Sequence, residues 1–184
     1  KTAVTTTTGG FVEFFGNGYN SPPGTPSLYA LNPQTGATVA KINLCSATGV
    51  PSSACSTSLA NGLSSVTVVN NTGTVGGLGN LLYAGDLQGN LWRVDISNSD
   101  PTKWTVSVLF QAISTAVSPA VGTPQPITTA PVVSLNPLYP SLSGTMVFFG
   151  TGELLGTADL GNSQVQTIYG VLDQTAPGGT ASAG

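Results

Sequence analysis

The sequence predicts an all-β chain. Three observations carry that expectation: no segment shows an apolar repeat of helical period, short runs rich in β-branched and aromatic residues recur, and clusters of Gly, Pro, Asn and Ser separate them. FVEFFG (11–16) comes first, and its alternation points Glu13 to solvent. SLYAL (27–31) and ATVAKI (37–42) follow, joined by the turn formers Asn-Pro-Gln-Thr-Gly. SVTVV (65–69), NLLYAG (80–85), NLWRVDI (90–96) and WTVSVLF (104–110) form a second group of strands. PVVSL (131–135), TMVFFG (145–150) and QTIYGVL (166–172) form a third. SPPGTP, NNTGTVGGLG and SPAVGTPQP are connecting loops by composition.

An internal repeat organises these strands. LYALNPQTGATV (28–39) aligns with LYAGDLQGNLWRV (82–94): Leu-Tyr-Ala, a polar turn with Gln and Gly, then another apolar strand. Units of this length suit β-propeller blades, four-stranded antiparallel sheets set around an axis. The expected division of 1–184, a single partial propeller domain, is blades at about 11–60, 61–124 and 125–173, with 174–184 a flexible tail. Two to three blades make an incomplete ring, because propellers typically close with four or more. The remainder must come from a longer chain or from association.

Charge limits the partners. Only 6% of the residues are Asp, Glu, Lys or Arg, against about 25% in an ordinary domain. Four basic residues, Lys1, Lys41, Arg93 and Lys103, cannot track a phosphate backbone, so nucleic acid is not expected. They form no polybasic patch for anionic lipid, and no apolar run is long enough to insert in a membrane as a helix. Histidine is absent, which removes Ser-His-Asp and Cys-His catalysis and all His-based metal sites. Cys45 and Cys55 flank a run of turn formers, at a spacing that suits neither zinc nor a redox motif. A disulfide in an oxidising compartment is the expected reading, and two free buried thiols are the alternative.

The residues that invite a chemical role each have a plainer one. Asp86 sits in the turn of YAGDLQGN, where the repeat alignment places Asn32 opposite it. Asp and Asn share the ability to hydrogen-bond the backbone two residues on, so Asp86 is expected to hold the turn. Trp92 and Trp104, inside alternating strands, are expected to pack in the core or between blades. GNGYNS and GTGELLGTADLG lack the phosphate-loop pattern and read as strand-end turns. Glu153 and Asp159 could pair as glycosidase carboxylates do, but they lie in a loop without an aromatic platform. Asn70-Asn71-Thr72 fits a glycosylation sequon, to which no role is attached.

GNGYNSPPGTPSLYALNPQTG (16–36), NGLS (61–64), YAGDLQGNLWRVDI (83–96), QPITTAPVV (125–133), FFGTGELL (148–155) and QTIYGVLD (166–173) occur in order. The set resembles the C-terminal β-propeller of the PilY/PilC proteins, type IV pilus-associated tip adhesins and assembly factors with quinoprotein-like repeats. The resemblance spans Phe11 to Asp173. It implies a Gram-negative source and an extracellular or outer-membrane-associated place at the pilus tip. It also implies a role in attachment and pilus biogenesis, with minor pilins and an external surface or host ligand as partners.

That family commonly carries an Asp-rich calcium loop between the NGLS and YAGD motifs. Here Asn70, Asn71, Thr72 and Asn80 stand in the corresponding stretch (70–86), and Asp86 is its first carboxylate. Calcium is a hard cation that binds several oxygen ligands, carboxylates above all. No functional metal site is expected. No catalytic residue or cofactor is expected either. The rival readings are a quinoprotein-like secreted enzyme and a structural subunit that self-associates through open blade edges. With seven acidic residues and no histidine, the chain also suits either an acidic exterior, as in an acidophile, or an ordinary Ser/Thr-rich secreted surface.

Overall fold

The computed structural model describes residues 2–3, 10–19, 24–71, 78–115, 122–135 and 144–175. Its strands form three antiparallel sheets in which sequence neighbours pair directly. Sheet one contains β1 (Thr2–Ala3), β2 (Phe11–Gly16), β3 (Ser27–Leu31) and β4 (Thr38–Asn43). Sheet two contains β5 (Leu63–Val69), β6 (Leu81–Asp86), β7 (Asn90–Asp95) and β8 (Thr105–Gln111). Sheet three contains β9 (Val132–Leu135), β10 (Thr145–Gly150) and β11 (Ile168–Asp173) among the described residues. The only helical elements among the described residues are short 3-10 turns, and no helix is long and apolar enough to cross a membrane. The flexible tail expected at 174–184 lies outside the described residues beyond Thr175.

The sheets stack face to face. Val12, Phe14, Leu28 and Ala30 of sheet one meet Leu82, Ala84, Trp92 and Val94 of sheet two in one apolar cluster. Leu81, Tyr83, Leu91 and Leu109 of sheet two meet Val147, Phe149 and Val171 of sheet three in a second. Sheet two is covered on both sides, so every residue of β6 and β7 is buried, whereas β2 alternates exposed and buried. Trp92 and Trp104 both belong to the first cluster, with the Trp104 ring 5.7 Å from Phe14. Glu13 is exposed.

The repeat is real, but its phase differs from the sequence alignment by one strand. Leu28–Leu31 is the third strand of sheet one, while Leu82–Gly85 belongs to the second strand of sheet two. Pairing register supplies the correct match: Gly16 faces Leu28, Gly85 faces Leu91, and Gly150 faces Ile168. FFGN, YAGD and FFGT are therefore equivalent, as are LYALN and LWRVD, while IYGVLD starts in the same register and carries one residue more before its Asp. The Tyr-Ala shared by strands three and two is coincidental. The counterpart of Asp86 is Asn17, not Asn32.

Cys45 and Cys55 form a disulfide, with their α-carbons 5.9 Å apart, in the loop that follows sheet one. That loop is docked on sheet two. The Asn90 side-chain amide donates to the Ala54 carbonyl (2.7 Å), and Gln88 exchanges bonds with the Ser56 backbone at 2.7 and 2.9 Å.

Candidate functional site

The end of each second strand is built the same way. Asn17 Oδ1 accepts from the Ser27 backbone N–H (2.9 Å), Asp86 Oδ1 from the Asn90 N–H (2.9 Å), and Thr151 Oγ1 from the Thr167 N–H (2.8 Å). In each case the side chain spans the loop and fixes the start of the third strand. The connecting loop can then vary in length without changing register.

Asp86 does more than its counterparts because it is wholly buried. Its Oδ1 also accepts from the Gln88 N–H (2.9 Å). Its Oδ2 accepts from Asn90 Nδ2 (2.8 Å), Trp92 Nε1 (2.8 Å) and Asn61 Nδ2 (3.2 Å). Burial pushes its pKa up, and the bonds from Asn90, Trp92 and Asn61 oppose that rise. A carboxylate surrounded by five N–H donors is a structural acceptor with no lone pair aimed at a ligand.

A second recurring acceptor ends each third strand. Asn32 Oδ1, Asp95 Oδ1 and Asp173 Oδ1 accept from the backbone N–H two residues on, at Gln34, Ser97 and Thr175, over 2.9–3.0 Å. Asp173 has an additional use that the sequence reading missed. Its Oδ2 accepts from Arg93 Nε (2.8 Å) and from the Tyr83 hydroxyl (2.6 Å), joining sheet three to sheet two. Arg93 Nη2 lies 3.7 Å from Asp95 Oδ2 and donates to the Thr175 carbonyl (3.3 Å). Burial, then the bond to Asp173 and its charge, push the Tyr83 hydroxyl up, and Arg93 opposes them. The available signal was strand alternation. Tyr83 and Arg93 are cross-strand partners on the face that also carries Leu81 and Leu91, and a buried Arg requires an acid.

The lead-in to each later sheet is pinned by an amide. Asn61 Oδ1 accepts from the Leu87 N–H (3.0 Å), while Gln125 donates to the Val165 carbonyl (2.7 Å) and accepts from the Tyr169 hydroxyl (2.6 Å). The residues two positions on, Leu63 and Ile127, press against Gly16 and Gly85 of the preceding sheet, where a β-carbon would overlap them. These amides explain the NGLS and QPIT motifs.

The loops at this end enclose an open cleft of about 460 Å³, lined by Leu59, Leu87, Gln88, Glu153, Leu155 and Asp159 among others. Glu153 and Asp159 do share it. Asp159 Oδ2 is occupied by the Leu155 and Gly156 N–H groups (2.7 and 2.9 Å). Partial burial and then the Asp159 charge raise the Glu153 pKa. In the stretch expected to lack calcium, residues 72–77 lie outside the described residues. On either side of them, the Asn71 and Asn80 amides bond to each other, with Asn80 Nδ2 donating to Asn71 Oδ1 (2.9 Å).

The PilY1 beta-propeller domain family matches residues 1–184. The type IV pilus biogenesis factor PilY1 of Pseudomonas aeruginosa is 35% identical over 184 residues, an alignment covering 90% of this chain and 15% of the relative. A PilY1 homolog of Xylella fastidiosa is 31% identical over 173 residues, covering 92% of this chain and 11% of the relative. The crystal structure of the Pseudomonas aeruginosa PilY1 C-terminal domain superposes with a TM-score of 0.75 at 30% identity, covering 96% of this chain and 37% of that one. The chain thus spans a small part of the length of these relatives.

Proposed function

The chain belongs to the PilY1 beta-propeller domain family, and from that premise we propose that it is a non-catalytic structural module of a type IV pilus biogenesis factor. Its work is to present loops to other pilus components, minor pilins among them, and to an external surface at the tip of the fibre. That work places it at the cell surface of a Gram-negative bacterium.

The use of the acids carries this reading. Asp86, Asp95 and Asp173 each accept backbone N–H groups at turns, and Asp173 also neutralises the buried Arg93. Asp100 and Asp159 cap short 3-10 turns. Side chains fixed in this way shape a platform; they do not hand protons to a substrate.

The test is a chimera. The matching segment of the Pseudomonas aeruginosa relative is replaced by residues 1–184, and surface pili and twitching motility are measured beside a deletion of the same segment. The chimera should restore pili that the deletion loses. A stable, exported chimera that leaves the cells without pili would overturn the proposal.

A further inference from the structure

Of the side chains that line the cleft at the loop end, Glu153 is unspent. The walls of the cleft come from sheets two and three and the segments leading into them, and hydrogen bonds fix them in place. Gln88 Nε2 donates to the Ser56 and Leu59 carbonyls (2.9 and 3.2 Å), and Gln164 Nε2 donates to the Pro124 carbonyl (2.8 Å). Asp159 Oδ2 is taken by two backbone N–H groups. Glu153 has no hydrogen-bond or ion-pair partner among the described residues.

Apolar residues, Leu59, Leu87, Pro126 and Leu155 among them, supply most of the remaining lining. The rim is apolar too. Leu154, Leu160 and Val165, each next in sequence to a lining residue, are 70, 74 and 57% exposed. Large apolar side chains left in water beside such a cleft mark a surface that meets another molecule.

Charge selects the occupant. The cleft carries two carboxylates and no basic residue. Lys41 lies over the Tyr29 ring, Arg93 is buried against Asp173, and Lys103 ends the 3-10 turn before β8. Partial burial and the Asp159 charge disfavour the Glu153 anion, a cost that an incoming cation removes. An anion would meet like charge here. A hard metal ion wants about six or more oxygens, and two carboxylates, one already bonded to backbone, are too few. A long cationic side chain suits both features, because its methylene stem covers apolar surface while its head keeps a polar partner.

We infer that this cleft takes the Lys or Arg side chain of an extended segment of a partner protein. The stem lies along the leucines, the charged head meets Glu153, and apolar neighbours in the segment rest on the exposed rim. The inference rests on the loop-presenting role proposed above, but its test reads peptide binding in vitro. Its failure is therefore separate from a failure of the chimera to restore pili.

The full-length product of the gene is titrated with acetyl-Ala-Leu-Lys-Leu-Ala-amide and with the same peptide carrying Nε-acetyl-lysine, and binding is read by saturation-transfer difference NMR. The free-lysine peptide should bind at least about fivefold more tightly, with saturation reaching its lysine methylenes. Glu153→Gln should abolish that preference. It should keep the weaker binding of the acetylated peptide, which reports an intact apolar wall. Equal affinity of the two peptides for the wild-type protein would overturn the proposal, whatever the variant does. So would an undiminished preference in Glu153→Gln. Binding of neither peptide, as when another part of the same polypeptide fills the cleft, would overturn it as well.

Discussion

Asn17 and Asp86 hold the same place in consecutive sheets, each accepting a 2.9 Å hydrogen bond from the N–H that opens its third strand. The amide suffices in sheet one. In sheet two the second oxygen has collected Asn61, Asn90 and Trp92 as further donors. Asp86→Asn keeps the turn bonds but points an NH₂ at those three, and should cost about 2 kcal/mol. Asp86→Ala strands all the donors and should cost about 4 kcal/mol or more. Urea unfolding of both variants checks the order. Wild-type stability in Asp86→Ala would show that the carboxylate does not hold this turn.

The ion pair between sheets two and three should be asymmetric to mutation. Asp173→Ala leaves Arg93 buried without its closest acid and should cost about 3–5 kcal/mol. Tyr83→Phe removes one hydroxyl bond to the same oxygen and should cost about 1–2 kcal/mol. Differential scanning calorimetry separates the two, and equal effects would place the energy elsewhere.

Mild acid should not loosen the fold through its shifted buried acids. Asp86 and Glu153 both have raised pKa values, burial being the leading cause in each. A raised folded value means the native state takes up the proton before the unfolded chain does. Stability from these groups therefore grows as pH falls through the folded pKa toward the unfolded value of about 4. Exposed Asp100, lowered by its bonds from Thr102, acts oppositely: its contribution is present above the unfolded value and lost as pH falls through the folded one. The melting temperature should hold or rise from pH 7 to about pH 4.5, and Asp86→Asn should flatten that profile. A steep fall over the same range would count against an acid-tolerant design.

Replacing Cys45 and Cys55 with Ser should cost about 2–3 kcal/mol by freeing a short loop in the unfolded chain. The loss should be felt in sheet two as well, since residues 54–56 bond to Gln88 and Asn90. Amide exchange would show it as faster exchange at both places. A change confined to residues 44–56 would mean that the docking is incidental.

Gly85→Ala should cost about 1–3 kcal/mol, because the new methyl group must displace Ile127 between two packed sheets. Thermal unfolding measures it. A neutral result would show that the sheets separate more easily than their packing indicates.

The strands were legible because each is a short apolar run bounded by turn residues, and each of the ten expected runs matches a strand. Thr2–Ala3 was not, since two residues carry no period. The repeat was visible but mis-phased: Tyr-Ala occurs in the third strand of sheet one and the second of sheet two, and only the cross-strand register of the glycines separates them. Asp86 was read correctly as a turn residue, though with the wrong counterpart. The Tyr83–Arg93–Asp173 cluster was missed because Asp173 lies far from the other two in the chain, and sequence spacing does not show which sheet faces which.

Sheet two has no open face, while its neighbours each have one. In a stack where each layer leans on the next, the order of opening follows position. In the 184 residues taken alone, the two flanking layers should breathe first and trade protons with solvent quickly, and the central layer should stay shut until all three let go.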